Sequence, residues 1–281
     1  MLARTLARHD ALFGLEALAI TPAVIRISRF LAKGATDRES CNLRPGQRLA
    51  RALNEAGPSF IKLGQALATR SDFLGDEFAK DLSDLQDKLP PFETALARNI
   101  IEEEFGKPLE TLFSYFDKIP VAAASIAQVH FAITSEGTEV AVKVLRPGVE
   151  EAFNRDLELM RWVAGMIILA KPDLKRLKPT ESVEMLAETV ELEMDLRFEA
   201  SAAGEIGDNF KDDDDFHVPK VDWQRTGQRV LTTERLSGVP LDQRDAIIAA
   251  GHDPEEILKK ASEASFKQVF RDGFFHADVH P

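Results

Sequence analysis

The stretch Val140-Ala141-Val142-Lys143-Val144 sets one lysine inside an otherwise apolar strand pattern. Burying a lysine without a partner costs free energy, so we expect Lys143 to face a groove that holds negative charge. The alternative interpretation is a surface lysine on an edge strand. A second strand pattern, at 127–133, comes before it, and Ser135-Glu136-Gly137 between the two patterns predicts a hairpin turn.

A run of small residues leads into the first of these strands: Val121-Ala122-Ala123-Ala124-Ser125-Ile126-Ala127-Gln128-Val129. Small side chains let the backbone approach a ligand closely, and free backbone amides in such a turn can hold phosphate oxygens. Alanine restricts the backbone torsions more than glycine does, so we expect a stiff loop. Taken alone, an alanine run more often reflects packing than phosphate binding.

A small-residue loop, a hairpin turn and a Val-Ala-Val-Lys strand occur in this order in the N-terminal lobe of protein kinases. There the lysine contacts nucleotide phosphates and pairs with a glutamate on a helix. The combination is far more specific than either feature alone.

Candidate carboxylates for this pairing lie on a helix predicted over 181–204. At four-residue spacing, Glu191, Asp195 and Glu199 would share one face of that helix, and cations opposite the face would relieve their repulsion. The residues alone leave open which carboxylate meets Lys143.

The segment His276-Ala277-Asp278 matches the start of the kinase catalytic loop, in which an asparagine follows five positions after the aspartate. A lone H-x-D pattern has little weight, but this one follows the strand lysine at a kinase-like distance and comes after a helical pattern. The expected asparagine would lie beyond Pro281, the last residue of the sequence.

Composition limits the function classes. The 281 residues, 44% of them hydrophobic, are enough for one large domain or two ordinary ones. The formal net charge of -12 argues against nucleic-acid binding through a broad basic surface. The single cysteine, Cys41, excludes an internal disulfide framework and fits a reducing compartment.

Apolar stretches near the N-terminus are interrupted by charged residues. They reach neither the roughly 18 apolar residues of a membrane-spanning helix nor the pattern of a signal peptide, so we expect a cytoplasmic chain. Residues 12–33 combine apolar positions with basic neighbours and would suit a helix lying on a membrane surface. A helix packed on its own domain is the favoured alternative.

The remaining patterns organise the rest of the chain. Helices are predicted at 45–88, 93–105, 150–170 and 255–272, a short segment at 109–116, and strands at 218–221 and 228–234. The acidic run at 211–215 could attract a metal, although a solvated link is favoured. The chain divides into an amphipathic segment (1–44), a helical extension (45–118), a lobe with a sheet and inserted helices (119–236) and the start of a second lobe (237–281).

Four motifs together point to one family. Lys62-Leu63-Gly64-Gln65 is a K-x-G-Q motif, the alanine run stands in place of a glycine loop, Glu193-Met194-Asp195 is an E-x-D motif, and residues 276–281 read H-x-D-x-H-P. From about residue 44 to its end the chain resembles the UbiB-type atypical protein-kinase-like family, also called the aarF type. The resemblance implies an α+β, kinase-like fold: a small antiparallel sheet with helices, an N-terminal helical extension and an incomplete C-terminal lobe.

The resemblance also implies roles. Lys143 would contact phosphates, Glu199 would be its ion-pair partner, and Asp278 would be the catalytic-loop aspartate. Nucleotide contacts are implied for Val121, Ala122, Ala123, Ala124, Ser125, Ile126, Ala127, Gln128, Val129, Lys143, and, at the hinge, Glu234 and Leu236.

The K-x-G-Q helices of the family fold over the nucleotide cleft. Lys62 and Gln65 share a helix face at this spacing, and they would point inward, with Lys62 opposite Glu193 and Asp195. Such occlusion argues against phosphorylation of a protein in trans.

The implied cofactors are ATP and Mg²⁺, but the metal ligands would lie past Pro281, so no residue is assigned to the metal. We expect an ATP-binding atypical kinase or ATPase that supports ubiquinone (coenzyme Q) biosynthesis, with this chain an inactive, C-terminally truncated fragment. The alternative is a non-catalytic, nucleotide-responsive scaffold that binds lipid or partner enzymes. Expected partners are a nucleotide, a quinone-precursor lipid or ubiquinone-biosynthesis enzymes, and peripherally the inner face of the membrane, but no nucleic acid.

Overall fold

The computed structural model describes residues 2–11, 43–69, 71–83, 85 and 89–276. The chain forms two compact units, each built from separate stretches. Unit 1 consists of Met1–Phe92, Ala123–Ala127 and Leu145–Met194, and unit 2 of Glu93–Ala122, Gln128–Val144 and Asp195–Pro281. The amphipathic segment predicted at 12–33, Cys41 and Asp278 lie outside the described residues. The four-segment division of the chain stays a prediction.

Helices outnumber strands among the elements of the described chain. The α-helices are α1 (Leu2–Arg8), α2 (Pro45–Ala56), α3 (Pro58–Ala68), α4 (Ser71–Leu74), α5 (Asp76–Ser83), α6 (Thr94–Phe105), α7 (Leu109–Leu112), α8 (Val149–Ala170), α9 (Pro179–Glu193), α10 (Leu196–Asn209), α11 (Arg244–Ala249) and α12 (Pro254–Phe266). The strands are β1 (Phe113–Phe116), β2 (Ala122–Ala123), β3 (Ala127–Thr134), β4 (Glu139–Leu145) and β5 (Val230–Glu234). Short 3₁₀ segments lie at Pro172–Leu177 and Trp223–Arg225, and a π-helical turn at Lys267–Asp272 follows α12.

Unit 1 is helical. Helices α2 and α3 meet at Gly57, whose φ of 115° lies in the region that favours glycine, and Pro58 starts α3 at a position that needs no amide donor. Helix α5 packs against both α2 and α3, and α8 packs against α9. Ile61 and Leu82 are fully buried in this unit.

Unit 2 contains the sheet. Strands β1, β3, β4 and β5 are neighbours in that order, and the short β2 pairs with β3. In β4 the residues alternate, with Val140, Val142 and Val144 buried. Lys143 therefore lies on the opposite face of the strand, paired with Leu231 of β5. Helices α6 and α10 contact β5.

The structure confirms the hairpin that the sequence predicts. Thr134 N–H donates to Thr138 O at 2.9 Å, and Gly137 closes the turn with a φ of 94°. The strand predicted at 218–221 is wrong: there Val221 forms only an isolated bridge to Thr233. Pro219 interrupts this segment and has no amide hydrogen for a strand ladder.

Candidate functional site

Among the described residues, the lysine of β4 pairs with one carboxylate. Lys143 Nζ donates to Glu199 Oε2 at 2.7 Å, with side-chain exposures of 29% and 50%. Glu199 lies in the first turn of α10, so a strand and a helix of unit 2 together form the ion pair. Because both side chains keep access to solvent, an anionic ligand can reach the lysine without unfolding either element.

The helix α9 ends at Glu193 and a second helix, α10, begins at Leu196. The single helix predicted over 181–204 is therefore wrong. Asp195 has extended torsions, and its carboxylate accepts the Arg197 N–H at 3.1 Å as the N-cap of α10. Leu196 N–H donates to Gln228 O at 2.9 Å instead of continuing the earlier helix. The predicted row of three carboxylates on one helix face does not form, because Glu191 belongs to α9 and Asp195 to neither helix.

Asp195 has a different partner from the one the K-x-G-Q prediction gave it. Arg197 Nη2 lies 2.6 Å from its Oδ2, and this hydrogen bond lowers the pKa of the Asp195 carboxyl. Asp195 therefore caps and positions the helix that carries Glu199.

Lys62, by contrast, reaches Glu193 as predicted. Its Nζ donates to Oε1 at 3.0 Å and lies 2.9 Å from Oε2, with side-chain exposures of 19% and 30%. The pair joins α3 to the end of α9 within unit 1. Gln65, one turn further along α3, is half-buried.

The alanine run forms a tight, hydrogen-bonded segment. Ala124 N–H donates to Ala127 O at 2.8 Å, and Val121 N–H donates to Val129 O at 2.8 Å. The Oγ of Ser125 is fully buried and has no hydrogen-bond partner among the described residues. A buried hydroxyl of this kind costs free energy unless a ligand or water satisfies it.

Arg146 is a residue that the sequence patterns missed. Its Nε and Nη2 donate to Ala124 O at 2.9 and 2.8 Å, its Nη2 also donates to Pro90 O at 2.9 Å, and its guanidinium lies 5.5 Å from the centre of the Phe92 ring. Arg146 thus fixes the alanine segment to residues 90–92 within unit 1. An arginine directly after an apolar strand was the available signal, since a half-buried guanidinium needs acceptors.

At the predicted hinge, two backbone amides already donate hydrogen bonds within the protein. Glu234 N–H donates to Lys220 O at 2.8 Å, and Arg235 N–H donates to Glu139 O at 3.3 Å. The Glu234 carboxylate accepts from His217 Nε2 at 2.9 Å, which lowers its pKa. Neither of these two amides is therefore free to donate to an adenine base, and Leu236, the other predicted hinge residue, is exposed.

A comparison with known families identifies the chain. The ABC1 atypical kinase-like domain matches residues 84–281. The chain belongs to this family.

Two curated relatives agree with the ABC1 assignment, and both are named probable protein kinase UbiB. One, from Marinobacter nauticus, is 44% identical over 239 residues, which cover 85% of this chain and 44% of the relative. The other, from Shewanella loihica, is 45% identical over 237 residues, which cover 84% of this chain and 43% of the relative. The chain thus spans less than half the length of these ABC1 relatives.

A solved structure supports the fold. The complex of Rv3197 with erythromycin from Mycobacterium tuberculosis is 32% identical and superposes with a TM-score of 0.56, covering 78% of this chain and 54% of that one. The predicted α+β fold with a kinase-like N-terminal lobe is confirmed. Within the described part of the chain, no helix is both long and apolar enough to cross a bilayer.

The sequence also predicted a catalytic-loop aspartate and an acidic run at 211–215 in this ABC1 chain. Asp278 lies outside the described residues, while the neighbouring His276 N–H donates to Gln268 Oε1 at 3.0 Å. In the acidic run, Asp213 pairs with Lys267, and Asp215 lies 2.8 Å from Lys260. Among the described residues, no three His, Cys, Asp or Glu side chains are grouped so as to hold a metal ion.

Proposed function

We propose that this chain supplies the nucleotide-binding lobe of an ATP-dependent atypical kinase or ATPase that supports ubiquinone biosynthesis. The ion pair between Lys143 and Glu199 carries the proposal. It joins a central strand to a helix, as the phosphate-contacting lysine and its helix glutamate are joined in kinases. The names of the two curated relatives support the kinase class.

In this proposal Lys143 binds phosphate oxygens of ATP, and Glu199 holds the lysine in an extended conformation before the nucleotide arrives. Preorganisation of this kind lowers the ordering cost of binding. The capping aspartate, Asp195, acts one step further away by fixing the first turn of α10.

Mg²⁺ in nucleotide sites is usually held by one or two carboxylates together with substrate phosphates and water, and among the described residues no group of three His, Cys, Asp or Glu side chains marks a metal site. The proposal therefore assigns no residue to the ion. Turnover is proposed only for a protein extended to the length of the curated relatives, and Asp278 is its proposed catalytic-loop aspartate.

Binding of a fluorescent ATP analogue tests the proposal, in this chain and in a version extended to the length of its relatives. Lys143→Met should weaken binding at least about tenfold, because a charge-assisted contact to phosphate is lost. Lys259→Met is the matched control: Lys259 also pairs with a glutamate, Glu263, on an exposed surface, and its loss should leave affinity unchanged. Equal affinity in both variants, or no binding by the extended protein, would overturn the proposal.

Asp278→Asn in the extended protein separates the kinase or ATPase from a nucleotide-responsive scaffold. An enzyme carrying this substitution should lose ATP turnover and keep nucleotide binding. A scaffold carrying it should support ubiquinone synthesis in cells as well as the unsubstituted protein does, and should lose that support after Lys143→Met.

A further inference from the structure

The end of the α8–α9 helix pair in unit 1 combines apolar and basic side chains on an exposed surface. We propose that this surface binds an anionic phospholipid bilayer. We call it the basic tip, and it consists of Trp162, Met166, Leu169, Lys171, Lys175 and Arg176.

The apolar half of the basic tip is a stripe on α8. Trp162, Met166 and Leu169 follow one another at helical spacing, so they share one face of the last two turns. Trp162 is 57% exposed and Leu169 is 77% exposed. The buried residues of α8, such as Phe153 and Met160, lie on the opposite face of the helix, and of the stripe only Met166 is half-buried.

The basic half of the tip lies directly after α8, in and beside the 3₁₀ segment that leads to α9. Residues 169–179 contain four cations and one carboxylate, which gives a local charge of +3 in a chain whose net charge is -12. Lys171, Lys175 and Arg176 are exposed, and no carboxylate of the described residues pairs with them. By contrast, the nearby Arg161 is paired: its Nε and Nη2 donate to the Glu184 carboxylate at 2.9 and 2.8 Å.

Charge complementarity selects a lipid surface as the occupant. Lysines are depleted in protein–protein interfaces, whereas clusters of Lys and Arg beside an apolar helix face bind anionic headgroups. Tryptophan is enriched where protein meets the membrane interface. The acidic remainder of the chain would be repelled by the same bilayer, so binding through the basic tip also orients the protein.

The two tryptophans of the chain allow a local measurement. In a Trp223→Phe variant, Trp162 is the single tryptophan. On vesicles of phosphatidylcholine with about 30% phosphatidylglycerol, its emission should shift to shorter wavelength at about 50 mM salt. The shift should diminish at about 500 mM salt, because salt screens charges on exposed groups.

Matched charge variants test the cations. Neutralising Lys171, Lys175 and Arg176 to Gln should weaken vesicle binding about 100-fold, at roughly 1 kcal/mol per cation near an anionic surface. Neutralising Lys107, Lys118 and Lys211, which are exposed elsewhere, removes the same charge and should leave vesicle binding almost unchanged. Leu169→Ser should weaken it about tenfold through lost apolar burial.

Three results would each reject the proposal: unchanged Trp162 emission on anionic vesicles, equal losses in the two charge variants, or equal binding to pure phosphatidylcholine. An acidic protein partner or a second copy of the chain predicts the first of these results. Circular dichroism of each variant verifies folding. Nucleotide affinity does not depend on the basic tip, so this proposal and the proposed function fail separately.

Discussion

Each unit of the molecule has a lysine–glutamate ion pair, and the two pairs differ in their surroundings. Lys62 and Glu193 connect two packed helices in unit 1 and are 19% and 30% exposed, whereas Lys143 and Glu199 connect a strand to a helix in unit 2 and are 29% and 50% exposed. The chemistry is the same in both. We expect the more exposed pair to contribute less to stability and to be easier for a ligand to reach, so the comparison can be tested by measuring stability and nucleotide binding for each pair.

Filling the close packing at Gly64, on the same helix as Lys62, should have the largest effect on stability. A Cβ on Gly64 would overlap Leu85 Cδ1 and come within 2.9 Å of Leu53 Cδ1. Overpacking costs about 1–3 kcal/mol, and alanine returns up to about 1 kcal/mol of helix propensity. We expect Gly64→Ala to lower the free energy of unfolding by about 1–2 kcal/mol, measured by chemical denaturation.

Gly165 in α8 is the matched control, because nothing lies within 4 Å of a Cβ added there. Gly165→Ala should raise the free energy of unfolding by about 0.5–1 kcal/mol. The packing argument is wrong if both glycines respond in the same direction.

Breaking the Lys62 pair should have an effect of at most the same size. Lys62→Met leaves the partly buried Glu193 carboxylate without its cation. The expected loss of about 1–2 kcal/mol lies between that of an exposed pair and that of a fully buried one. Adding Glu193→Gln should recover part of this loss, and a double-mutant cycle measures the coupling. Additive losses would show that the pair contributes nothing to stability.

For the Lys143 pair we expect a small change in stability and a large change in nucleotide affinity. Lys143→Met should change the free energy of unfolding by less than about 1 kcal/mol, because solvent screens the exposed pair, while nucleotide affinity falls at least about tenfold. Denaturation and ATP-analogue binding on the same preparation check both parts. A loss of stability as large as that of Lys62→Met would place the pair among the structural contacts and remove the contrast between the units.

The sequence patterns predicted the parts of the site that depend on local periodicity. Alternation in β4 placed Lys143 on the face opposite Val142 and Val144, and the turn residues fixed the hairpin. The break at Asp195 was missed, because apolar residues continue at helical spacing across it and only the capping geometry stops the helix. Arg146 was missed because its acceptors are backbone carbonyls: the apolar strand before it indicates a half-buried guanidinium but not the groups that the guanidinium contacts.

The sheet that carries Lys143 also contains a buried histidine, whose titration should give the smallest effect. His130 Nδ1–H donates to Asp117 O, so Nε2 accepts from Gln128 Nε2, both at 2.8 Å. Burial lowers the pKa of His130, with the hydrogen bond to Asp117 opposing the shift. Protonation would put an N–H of the ring against the amide N–H of Gln128, which disfavours the charged form further.

A histidine with a lowered pKa in the folded state binds its proton more tightly when unfolded. Its contribution to stability is therefore complete above the unfolded pKa of about 6.5 and is lost as the pH falls through the folded value. We expect a lower denaturation midpoint at about pH 5.5 than at about pH 7.5. In His130→Gln the midpoint should depend less on pH, because the residue no longer titrates. A pH dependence equal in the two proteins would show that other groups cause it, and that the hydrogen bonds of His130 tolerate the added proton.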